Sequence, residues 1–174
     1  MKRVLSVLSC LVLSSVPALA QKKAATPMSD QQFVNFAAQT DMVEANLGKL
    51  AQDVAASQAV KDYGKMLVTD HTADYKQLQQ IAPQASLSVP DAIEAAQNKA
   101  LIGPFHKLKG KTFDQRYIHT MIEGHTKAIA IYKKEAEDAT SDSIKSYAQT
   151  ALPVLEKHLD DAKLIAQGKT PPTM

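Results

Sequence analysis

The chain has 174 residues, 45% hydrophobic and 22% charged, enough for one domain with a sizeable core. Two of its 20 basic residues, Lys2 and Arg3, fall in the first twenty positions, and the rest balance the 18 acidic ones. A neutral body with Arg116 as its one arginine argues against nucleic acid or an anionic membrane as partner.

Residues 1–20 have the layout of a secretory signal peptide. Lys2 and Arg3 supply the positive start, Val4 to Val16 the apolar middle, and Pro17-Ala18-Leu19-Ala20 the small-residue cleavage site before Gln21. The apolar stretch is too short to cross a bilayer as a helix. A lipid-modified Cys10 would leave only Val4 to Ser9 as the apolar stretch, so cleavage after Ala20 is the expectation. The mature chain is then a periplasmic protein with no transmembrane segment, and outer-membrane association stays open. Cleavage also removes Cys10, the one cysteine, and with it any thiol chemistry.

After a flexible tether over 21–28, helix signals dominate residues 29–168. Ser29-Asp30-Gln31-Gln32 reads as a capping box that opens a helix over 30–55, and Ser57 is placed to cap a second over 58–81. Thr112-Phe113-Asp114-Gln115 reads as another box opening a helix over 113–139, and Ser141 as the cap of one over 142–167. Gly168 and Pro171-Pro172 close that last helix, and 169–174 form a disordered tail.

Links at Ala56-Ser57 and Thr140-Ser141 are tight enough to make antiparallel hairpins. Between the hairpins runs a long connection, Ala82 to Lys111, broken by Pro83, Pro90, Gly103, Pro104 and Gly110. Inside it Asp91 to Ile102 predicts a short amphipathic helix lying across the outside. The expected fold is all-α: a ferritin-like four-helix bundle made of two hairpins and one crossover.

The halves echo each other. Val60-Lys61-Asp62-Tyr63 parallels Ile144-Lys145-Ser146-Tyr147, Phe33 parallels Phe113, and His71-Thr72-Ala73-Asp74 parallels His158-Leu159-Asp160-Asp161. A duplicated hairpin with a pseudo-twofold axis fits this pattern.

Each predicted helix carries a polar interruption on its apolar stripe: Glu44 on the first, His71 with Asp74 on the second, His125 on the third, His158 on the fourth. Burying such groups costs free energy unless something inside pairs with them, which points to a shared polar or metal site. At about 1.5 Å of rise per residue, His125 and His158 come to one level, whereas Glu44 and His71 differ by about one turn. A di-iron site needs Glu-x-x-His on two helices, and Leu155 and His125 stand where carboxylates are required, with Glu123 and Glu156 off the stripe. Three imidazoles and one carboxylate suit a single Zn, Cu or Fe ion, with Asp74 as an outer acceptor or a surface group. Histidine ligation predicts binding that weakens below about pH 6. The plainer alternative is a closed hydrogen-bond network that sets helix register without metal.

Elsewhere the chain is quieter. His106 in the crossover and His119 off the stripe read as surface histidines, and Pro153 predicts a kink just before His158. There is no phosphate loop, no recognisable Ser-His-Asp set, and no motif that marks an enzyme.

Several segments carry a family resemblance: Phe33-Val34-Asn35-Phe36-Ala37-Ala38, Glu44-Ala45-Asn46-Leu47-Gly48, Val60 to Leu67, Asp70-His71, and Leu152-Pro153-Val154-Leu155-Glu156-Lys157-His158. Together they resemble the exported bacterial family called domain of unknown function 4142, whose members are frequently labelled outer-membrane proteins. The resemblance implies a ferritin-like bundle in a Gram-negative envelope and brings no established activity. No strand pattern here suggests a barrel.

Two functions therefore stand side by side. One is a non-catalytic, stress-related or partner-binding periplasmic bundle whose inner polar groups serve packing. The other is a metal-binding or metal-dependent redox protein using Glu44, His71, His125 and His158. An envelope protein partner or a homodimer is compatible with either, although no surplus apolar stripe demands a dimer.

Overall fold

The computed structural model describes residues 28–172. The expected signal peptide, its cleavage point and the tether up to position 27 lie outside the described residues, as does the end of the expected tail. Within them the chain is all-α, with four long helices: α1 Asp30–Val54, α2 Gln58–Ile81, α4 Gly110–Asp138 and α5 Asp142–Ala166. A short α3, Ala95–Gln97, lies in the connection. α1 packs on α2 and α4 on α5 as hairpins, and the hairpins meet along α1/α4 and α2/α5.

The capping box at Ser29 forms as expected. Ser29 Oγ accepts from the Gln32 amide at 3.3 Å, and Gln32 Oε1 accepts from the Ser29 amide at 2.9 Å. The second box does not form, because α4 already begins at Gly110 and Thr112 to Gln115 lie inside it. Its Asp114 serves the other hairpin instead, accepting from the Ala56 and Ser57 amides at 3.0 and 2.9 Å. Asp30 does the same for the second link, accepting from Thr140 and Ser141 at 2.9 and 2.7 Å. Ser57 and Ser141 hold the N-cap positions of α2 and α5, yet neither side chain caps.

These reciprocal clamps set the register of the repeat at 84 positions, 30 to 114 and 57 to 141. Tyr63 then corresponds to Tyr147 and Phe33 to Tyr117, and the packing agrees. Tyr63 meets Tyr117 edge-on at 6.2 Å between ring centres, and Phe33 meets Tyr147 edge-on at 6.1 Å. The apparent matches of Phe33 with Phe113 and of His71 with His158 are thus out of register. In the observed one, Asp41 corresponds to His125 and Asp74 to His158.

Inside the first hairpin two glycines allow the backbones to touch. A Cβ on Gly64 would stand 2.8 Å from both Ala51 Cβ and the Gly48 carbonyl oxygen. The crossover is held against α1 by side-chain amides. Buried Gln39 donates to the Ala92 carbonyl and accepts from the Glu94 amide, both at 2.9 Å. The expected helix over 91–102 is correspondingly shorter: helical structure starts at Ala95, passes through a π-turn at Asn98–Ile102, and ends in a 3-10 turn at Gly103–Phe105. Its Ile102 and Phe105 are buried on the core.

The core is divided. One apolar cluster, with Phe33, Leu78, Tyr132, Ile144 and Tyr147, fills one end of the molecule, and another, with Leu47, Val60, Leu67, Phe113 and Tyr117, fills the other. Burial of each such side chain contributes about 1.5–3 kcal/mol. Polar groups occupy the layer between.

Candidate metal centre

Three of the four stripe residues meet in that middle layer. His71 on α2, His125 on α4 and His158 on α5 are buried, and one ring nitrogen from each lies within 4.8 Å of the others. Their ring centres are 5.3–5.9 Å apart. Among the described residues, this is the group of ligand-type side chains that a single ion can touch.

Hydrogen bonds outside the cluster decide which nitrogens face inward. His125 Nδ1 is 2.9 Å from the Met121 carbonyl oxygen, which can only accept, so Nδ1 carries the proton and Nε2 is a bare lone pair. His158 Nε2 donates to Asp70 Oδ2 at 2.9 Å. That bond holds the Asp70 carboxyl below the ordinary carboxylate range, so the acceptor is an anion and His158 Nδ1 is bare. His71 Nδ1 lies 2.9 Å from Asp41 Oδ1, a buried pair that shares one proton. No protein atom partners His71 Nε2.

The result is an electrostatic conflict. His125 Nε2 and His158 Nδ1 stand 3.3 Å apart, lone pair toward lone pair. A proton between them would relieve it, but burial disfavours the imidazolium form. The His125 ring is pushed down to about 3, and His158 is also lowered, by burial first. A metal cation relieves the same conflict without protonating either ring. Outer partners on every imidazole, the Met121 carbonyl and Asp70 as acceptors and Asp41 on His71, are the kind of arrangement that orients metal-ligating rings.

Glu44 does not join the three rings. It is buried at 6% exposure on the α1/α4 side, its Oε1 facing the helix-interior Gly124, its Oε2 without a partner. Burial raises its carboxyl to about 7. Asp74 bonds to no ring; it accepts from Tyr147 Oη at 2.6 Å, and burial raises its carboxyl. The partner of His71 is instead Asp41, whose carboxyl is raised well above its usual range by burial and by the nearby Asp74 charge. Asp41 was legible by height: it and His71 each lie fifteen positions from Ala56, across the first link. Asp70, beside His71 in sequence, gave no such signal, because its stripe position is on the outer flank of α2.

His119, with Glu123 at 3.3 Å, and His106 are on the surface, and Glu156 pairs outside with Lys133 at 2.8 Å. Access to the rings runs along the α2/α5 seam. A groove of about 440 Å³ is lined there by Asp70, His71, Asp74, Pro153, Lys157 and His158. Pro153 lies within α5, where its ring removes the backbone bond to the Gln149 carbonyl at the edge of that groove.

The model of the family described as domain of unknown function (DUF4142) matches residues 15–165. No curated protein matches the chain. Two solved structures share its fold. CopM in the Cu(II)-bound form is 14% identical with a TM-score of 0.68, over 82% of this chain and 99% of that one. CopM in the Ag-bound form, from co-crystallization, is 15% identical with a TM-score of 0.64, over 80% and 96%. At that identity the likeness speaks for the fold alone.

Proposed function

Since this chain belongs to the domain of unknown function 4142 family, which brings no activity with it, we propose a function from the site: His71, His125 and His158 bind one copper ion. The observation that carries this reading is the pair of bare nitrogens held 3.3 Å apart in a buried layer. Imidazole nitrogen suits Cu, Zn and Fe, and copper heads the divalent affinity order. The two CopM structures, one Cu(II)-bound and one Ag-bound, support the same choice within one fold. Glu44 stands outside the proposed ligand set. A copper ion held there would supply one-electron chemistry or be carried as cargo, and the α2/α5 groove would admit it.

Around that site we read the two hairpins and their crossover as a ferritin-like bundle. The leader over residues 1–20, cleaved after Ala20, would deliver it to the periplasm. The competing packing role gains support from the protein partner that each ring already has, but it leaves the inner lone pairs unrelieved.

The test is to express the full chain with its leader, recover it from the periplasm, and measure the mature mass, bound metals and Cu(II) electron paramagnetic resonance. The expected outcome is cleavage after Ala20 and stoichiometric copper with nitrogen hyperfine structure, lost in His125→Ala and His158→Ala. In Asp41→Ala, affinity should drop by about tenfold or more, because His71 loses its outer partner. Folded protein that stays metal-free in excess copper, or variants that keep the full complement, would refute the site.

A further inference from the structure

Glu44 is left out of the imidazole cluster. It lines a groove of about 360 Å³ between α1 and α4, on the opposite seam from the one that reaches the histidines. Val43 and Leu47 from α1, Met121 from α4 and Leu101 from the crossover give it apolar wall, beside the polar Gln39, Thr40, Gln97 and Thr120. Leu101, on the π-turn, is one of the few large apolar side chains exposed among the described residues, at 43%. Glu44 Oε2 is sealed from water and unpartnered, and no lysine or arginine among the described residues pairs with this carboxyl. Lys127 and Glu123 stand at the rim, one turn apart.

Gly124 shows how the groove stays open. Gly48 and Gly64 are required by close approach of α1 and α2, since a Cβ on either would collide with backbone at 2.5 or 2.8 Å. Gly124 meets no such demand: a Cβ there would touch only Glu44 Oε1, at an ordinary 3.5 Å. A glycine inside a helix costs about 1 kcal/mol relative to alanine, and here the missing side chain keeps the carboxyl reachable from the groove.

We propose that the α1/α4 groove is a second binding site, separate from the imidazole cluster, that takes a small primary alkylammonium, its cationic head on Glu44 and its chain against Val43, Leu47, Met121 and Leu101. A buried acceptor without a cation, at the end of an apolar slot, is complementary to a charged donor on a short hydrocarbon. The inference does not depend on the copper reading.

The experiment titrates metal-free mature protein with n-butylammonium chloride and with n-butanol, following backbone amide shifts. Saturable binding is expected, with shifts centred on Gly124, Leu101 and the facing turns of α1, and with butanol at least about tenfold weaker, one charge-assisted hydrogen bond's worth. Glu44→Gln should lose binding by a similar factor, Gly124→Leu should block it by filling the slot, and His125→Ala should keep it. Equal affinity for butanol, retention in folded Glu44→Gln, or absence of saturable binding in the unaltered chain would overturn the proposal. Because His125→Ala removes copper but not the amine, failure of one site is distinguishable from failure of the other.

Discussion

Two buried groups in the middle layer pull the stability of the molecule in opposite directions with pH. His125, ordinarily near 6.5 and held at about 3 in the fold, contributes stability above 6.5 that is lost as pH falls toward 3, because only the unfolded ring takes up the proton. Glu44, ordinarily near 4.5 and held at about 7, has the reverse sign: the fold keeps its proton, and that advantage is lost as pH rises through 7. Glu44→Gln mimics the protonated acid, so its stabilising effect should be larger at pH 8 than at pH 5 by about 2 kcal/mol. Urea denaturation of metal-free protein at the two values checks this, and an equal effect at both would refute a buried, reluctant carboxylate. The depressed His125 also moves the expected acid loss of metal from about pH 6 to lower pH, since the ring resists protonation before any ion arrives. Glu44 illustrates what a stripe position conceals: its burial was legible from periodicity, while the seam it faces depended on where α4 set Gly124.

At the level of helices, each tight link is held by an aspartate from the other hairpin rather than by its own serine. Asp30→Ala and Asp114→Ala should each cost about 1 kcal/mol, as for loss of a helix cap. Because the two clamps lie at opposite ends of the molecule, their costs should add in the double variant. Chemical denaturation measures all three, and a loss at one end with none at the other would show that the duplication is not energetically symmetric. The helix start read from Ser57 stands, with α2 beginning at Gln58, whereas the one read from Thr112 lies inside α4. What takes the place of a cap by the Ser57 side chain is a contact between positions 57 and 114, which no local pattern encodes. The crossover helix starts late for a related reason: Gln39 uses both ends of its amide to hold the Ala92 carbonyl and the Glu94 amide just ahead of it.

For the molecule as a whole, a polar layer between two apolar ends would make binding of the proposed ion and folding one equilibrium. Copper bound to the folded chain and not to the unfolded one should stabilise it by about 3 kcal/mol at a free-ion concentration about a hundred times Kd. Thermal unfolding with and without copper, then with a chelator, checks the effect and its reversal. A midpoint indifferent to copper would count against an ion in the centre of the core. The pseudo-twofold relation explains why the layer can be lopsided in chemistry yet regular in shape. Asp41 and Asp74 on the first hairpin occupy the positions that His125 and His158 occupy on the second.

Helical periodicity, tight links and a proline-broken connection determined from sequence alone that the chain is all-α and made of two related hairpins. The same periodicity marked His71, His125 and His158 as inward, because 3.6 residues per turn leaves few choices for which face is buried. Only the tertiary structure decided that Asp41 rather than Asp74 holds His71, that Asp70 holds His158, and that Glu44 opens onto the opposite seam. Those choices turn on helix rotation of a few tens of degrees and on contacts between residues far apart in the chain, which packing sets and local pattern does not.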